Sequence, residues 1–118
     1  MSFLSAANLI RGAAALMILC AILHSLAWTT TRLRFPVEDR ALVALVWFLL
    51  AIDWTILGGL WLIAASGGGT MRPLLLLSAV VPLAVAVGLC VVISPFFFAV
   101  YLQLGALLLL VAGTLRQA

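Results

Sequence analysis

Asp53 is the residue of this sequence with the clearest capacity for chemistry, a lone carboxylate within the apolar stretch 41–65. Three other polar side chains, His24, Tyr101 and Gln103, also fall inside apolar runs. Counting rise per residue, His24 lies roughly 9 Å in from the end of the first run, and Tyr101 and Gln103 about 9–12 Å in from the start of the last. Trp47 sits at a comparable level, Asp53 about one to two turns deeper, and Ser78 deeper still toward the opposite end. These side chains could line one polar pocket with Asp53 at its floor. A carboxylate there could exchange a proton with a small cationic or amphipathic substrate. The structural alternative is a neutral Asp53 that hydrogen-bonds a neighbouring helix and holds the packing.

A second pattern surrounds the acid. Trp47, Ala51, Trp54, Gly58, Trp61 and Ala65 recur at spacings of 4, 3, 4, 3 and 4. On a helix these six form one slowly drifting stripe over about 27 Å, bulky and small residues alternating. Such a stripe is a helix–helix seam, the small residues admitting a neighbour. Its notches could instead hold an acyl chain, a quinone or another flat ligand. Trp47 and Trp61 could also anchor at two membrane interfaces. Asp53 sits about 100° round the helix from Trp54, so seam and carboxylate face different neighbours.

His24 lies one turn beyond Cys20 and two beyond Met17 on a helix, and could serve a tetrapyrrole as axial ligand, the small Cys20 letting a flat ring approach. The plainer reading is a packed histidine donating to a carbonyl or to Tyr101. No metal site is expected, because the chain has one histidine and its cysteines, Cys20 and Cys90, form no CxxC pair. No nucleophile–base pair or paired carboxylate is visible. Gly67, Gly68 and Gly69 lack the lysine and strand of a phosphate-binding loop. Enzyme chemistry is therefore not expected, and no catalytic residue is assigned.

The elements that must position these groups follow from composition. The chain is 68% hydrophobic and 8% charged over 118 residues, against about 25% charged in soluble domains. The expectation is one all-α domain, an integral membrane bundle of four transmembrane helices near residues 8–30, 37–65, 73–93 and 95–115. Pro36 opens the second span with Glu38 and Asp39 in its first turn. Ser66 to Thr70 is the flexible turn, Pro82 should kink the third span, and Ser94 with Pro95 should start the fourth. Residues 1–4 suit a membrane interface. The apolar run 12–28 is longer than a usual signal-peptide core, so the first span is expected to be retained.

Four spans put both termini on one side. Arg11, Arg72 and Arg116 fall on that side and Arg32, Arg34 and Arg40 on the other, so the positive-inside rule leaves the orientation tied. The net charge of +3 comes from scattered arginines without a basic face, which excludes a nucleic-acid partner.

At His24-Ser25 in the first span, and at Trp47 and Trp54 in the second, the chain resembles a group of small bacterial four-helix membrane proteins of unassigned function. In that group the first helix carries His-Ser followed by a Leu-Gly-Glu-like tail. The second begins with Arg and continues to Trp-His and another Trp seven residues after the first. Arg40, Trp47 and Trp54 match, whereas Ala27, Trp28 and Phe48 stand where the group has Gly, Glu and His. The resemblance implies an architecture and a bacterial inner-membrane location, and no biochemistry. In size, span count and balanced arginines the chain is also similar to small multidrug resistance exporters. Their proton-coupling acid lies in the first helix, here in the second.

Three functions follow as expectations. The first is a non-catalytic protein acting by helix–helix association, as an oligomer or an accessory subunit of a membrane complex. The second is a proton-coupled transporter using Asp53. The third is a binder of a lipid, quinone or tetrapyrrole.

Overall fold

A computed structural model describes residues 4–117; the expected interfacial segment 1–4 therefore lies, apart from Leu4, outside the described residues. Every regular element described is helical. Helix α1 (Ala6–Thr31) is capped by Ser5, whose side chain accepts a hydrogen bond from the Asn8 amide at 3.2 Å. Two short 3-10 turns, Arg32–Arg34 and Val37–Asp39, lead through Pro36 into α2 (Arg40–Ser66). Glu38 and Asp39 occupy the second of these turns, and the Arg40 Nε donates to the Phe35 carbonyl at 3.1 Å. A glycine-rich 3-10 turn, Gly68–Met71, reverses the chain, with Gly68 at a left-handed φ of 65°.

The third span is two helices, α3 (Arg72–Ser78) and α4 (Val80–Val92), broken at Ala79. The cause is legible in the residues. Pro82 has no N–H to offer the Ser78 carbonyl, and the Ser78 hydroxyl donates back to the Leu75 carbonyl at 2.8 Å. Helix α5 runs over Phe98–Arg116, starting three residues later than the Ser94-Pro95 pair predicts. Ser94 closes a turn instead: its hydroxyl accepts from the Phe96 amide at 3.1 Å, and the Phe97 amide bonds its carbonyl at 3.2 Å. Extended Phe97 then caps α5. Four stretches, Ala6–Arg34, Val37–Ser66, Gly68–Val92 and Phe98–Arg116, are long and apolar enough to cross a membrane.

Helix α1 is the centre of the bundle, packing against α2 on one side and α5 on the other. Its buried Leu9, Ile10, Ala13, Ala14, Met17, Cys20 and Ala21 supply both contacts. Small residues set the spacing. A Cβ at Gly58 would lie 2.9 Å from Ile18 Cγ1 and 3.1 Å from the Ala14 carbonyl. One at Gly113 would lie 2.7 Å from Ile10 Cγ1 and 2.9 Å from the Ala6 carbonyl. Helix α3 touches both α2 and α5, whereas α4 leans on α5 and makes no comparable contact with α2. As a result α2 is peripheral: 17% of its most apolar window is buried, against 33% in α1 and in α5. The described chain ends meet, the Arg116 guanidinium donating to the Leu4 carbonyl.

Candidate functional site

At the 32–39 end of the bundle, α1 and α2 are clasped by His24 and Trp47. The Trp47 indole Nε1 donates to the His24 carbonyl at 2.7 Å, and the His24 Nε2 lies 3.1 Å from the Trp47 carbonyl. A carbonyl can only accept, so Nε2 carries the proton and Nδ1 the lone pair. The two rings stack with centroids 4.1 Å apart and planes 8° from parallel. Trp54 presents its ring to His24 at 5.1 Å and 63°, and Trp28 leans on Trp47 at 5.6 Å. His24 is therefore a packed histidine donating to a carbonyl, that of Trp47 rather than a group on Tyr101. Among the described residues no three His, Cys, Asp or Glu side chains gather to hold a metal ion.

The Trp/small stripe turns inward. Ala51, Trp54, Gly58, Trp61 and Ala65 are buried and Trp47 is half-buried. Gly58 meets α1, and Trp61 reaches α3, where its Nε1 donates to the Ser78 hydroxyl at 2.8 Å. That hydroxyl donates its own hydrogen bond to the Leu75 carbonyl, so the buried indole N–H is satisfied by a serine at the helix break. The stripe is thus taken up within the chain. Ser78 as the partner of Trp61 was not evident from sequence; a serine four residues before a helix proline is the signal that marks it.

Asp53 turns the other way. It is exposed, and within the described residues it makes no hydrogen bond or ion pair. It stands at the midpoint of α2, thirteen residues from Arg40 and thirteen from Ser66. On the helix surface it continues the row of Leu57 and Leu60, one and two turns on, which with Trp61 faces Leu74, Leu75 and Ser78 of α3. Helix α3 leans on α5 more than on α2, and α4 packs on α5, so the third span does not cover the middle of α2.

The remaining polar candidates are held apart from Asp53. Tyr101 is 57% exposed on α5. Gln103, about 200° round the helix from Tyr101, is fully buried between α5 and α1 beside Cys20. Among the described residues neither its amide nitrogen nor its oxygen meets a nitrogen or oxygen partner, and the Cys20 thiol is the one polar group against it. His24, Tyr101, Gln103 and Asp53 therefore occupy four separate environments.

An open groove of about 440 Å3 lies between α1 and α2 and contains none of these four residues. Ala21 and Ser25 face Ala51 and Thr55 across it, with Ile22 and Phe48 on its rim. Both hydroxyls are spent on their own helices: Ser25 donates to the Ala21 carbonyl and Thr55 to the Ala51 carbonyl, each at 2.8 Å. The groove wall is accordingly hydrocarbon. Comparison with known proteins returned no match, whether to a protein-family model, a curated protein or a solved structure.

Proposed function

We propose that this chain is an integral protein of the bacterial inner membrane that acts without catalysis, by helix–helix association, as an oligomer or as an accessory subunit of a membrane complex. The observation that carries the reading is Asp53, a carboxylate at the midpoint of the least covered long helix with no hydrogen bond or ion pair among the described residues. In hydrocarbon an aspartate at a helix centre costs about 2.5–3.5 kcal/mol on insertion scales. A contact that covers it recovers much of that cost, so the flank of α2 is where association has most to gain. The Trp/small stripe no longer supports association, because it is used inside the bundle.

A transport reading needs a polar path joining Asp53 to His24, Tyr101 and Gln103, and the four are separated as described. A tetrapyrrole reading needs an imidazole nitrogen facing open space, whereas the His24 ring is stacked on Trp47 with Trp54 at its edge. The test is mass measurement of the protein extracted with its surrounding lipid, wild type beside Asp53→Leu. The wild type is expected in particles larger than one chain. The variant is expected as single chains with unchanged tryptophan fluorescence. Wild type found as single chains would refute the proposal.

A further inference from the structure

We infer that the Asp53 flank of α2 docks a transmembrane helix of another protein that carries a lysine or arginine near its midpoint. This rests on the association reading and names the partner's chemistry. Three observations lead to it. First, no arginine of this chain reaches the acid. There is no lysine, and Arg32, Arg34, Arg40, Arg72 and Arg116 stand at helix ends. Arg11 lies in the first two turns of α1, bonded to Asn8. Even on its own helix, Arg40 is about 20 Å away along the axis.

Second, the surface is the right shape for a helix and the wrong shape for a small cation. Val46, Leu49, Ile56 and Leu60 flank Asp53 at offsets of −7, −4, +3 and +7, all exposed. Ile56 also borders the α1–α2 groove and Leu60 a smaller hollow between α2 and α3, while Val46, Leu49 and Asp53 line neither. A row of side chains packs into the groove of a second helix. Any lipid-facing row is apolar, so the row itself specifies nothing; the single acid at its centre is what sets register.

Third, a second copy of this chain offers the acid no opposite charge. In a parallel pair it brings only another carboxylate to the same depth. Ionised aspartate differs from a neutral hydroxyl or amide in its charge, and a cation uses that difference.

The experiment uses the full chain in lipid nanodiscs, labelled at its C-terminal end, with synthetic leucine–alanine helices about 20 residues long. One peptide carries a central Lys, a second a central Leu, and circular dichroism confirms that both are helical. Energy transfer reports binding. The Lys peptide is expected to bind about tenfold more tightly than the Leu peptide, and Asp53→Asn and Asp53→Leu should erase the difference. Equal binding of both peptides overturns the inference. If equal binding accompanies self-association that Asp53→Leu abolishes, the partner is a second copy and the association reading stands. If it accompanies single chains insensitive to Asp53, both readings fall. Competition of tetraphenylphosphonium for Asp53 without peptide selectivity would assign the acid to a small lipophilic cation instead.

Discussion

Gly113→Ala tests the packing that makes α1 the centre of the fold. The added Cβ would stand 2.7 Å from Ile10 Cγ1, 2.9 Å from the Ala6 carbonyl oxygen and 3.0 Å from Leu9 Cβ. Two of these atoms are backbone or Cβ, so rotamer changes cannot clear them, and α5 has to move away from α1. Overpacking of this kind costs about 1–3 kcal/mol, and the rigid contacts argue for the upper end. Against it stands the gain of about 0.5–1 kcal/mol from replacing a helical glycine. The net expectation is a loss of about 2 kcal/mol. Gly59→Ala is the internal control: nothing lies within 4 Å of the Cβ it would add. It should keep the helix gain of about 0.5–1 kcal/mol. The two variants should therefore differ by about 3 kcal/mol. Reversible unfolding in mixed micelles of increasing dodecyl sulfate content, followed by tryptophan fluorescence, measures both. Gly113→Ala as stable as Gly59→Ala would refute the close α1–α5 approach.

The His24–Trp47 clasp makes a sharper statement about coupling. Each hydrogen bond joins one side chain to the other residue's backbone, so only ring stacking links the two side chains. A double-mutant cycle with His24→Leu and Trp47→Leu should give a coupling of about 0.5–1.5 kcal/mol, and zero coupling would contradict the stack. Gln103→Met replaces a buried amide that meets no nitrogen or oxygen partner with a thioether of similar length. It should raise stability by about 1–2 kcal/mol in the same unfolding assay; a loss would mean that the amide has a partner.

Several features were legible in the residues because their causes are local. Apolar runs bounded by Pro36, by the glycines at 67–69 and by Pro95 marked the four spans, and Pro82 marked the break in the third. The Trp/small stripe was legible as a stripe because helical periodicity is a property of one segment alone. Whether it served this chain or a partner was not. The same holds for His24: its level beside Trp47 followed from rise per residue, while the choice of Trp47 over Tyr101 depended on how α1 and α5 rotate against each other. Ser94-Pro95 misplaced the start of α5 because a serine hydroxyl caps a turn and a helix by the same bond, and only the following backbone distinguishes them.

The sequence by itself determined the helical class, the four apolar stretches and the interruption of the third, since these depend on neighbours along the chain. Only the tertiary structure decided which face of each helix is covered. In a water-soluble bundle the polar face announces itself, but here α2 is apolar on nearly every side, so inward and outward rows look alike in composition. Burial of Trp54 and exposure of Asp53, adjacent in sequence, follow from which side of α2 meets α1: Trp54 packs against His24, and Asp53 stands on the uncovered side.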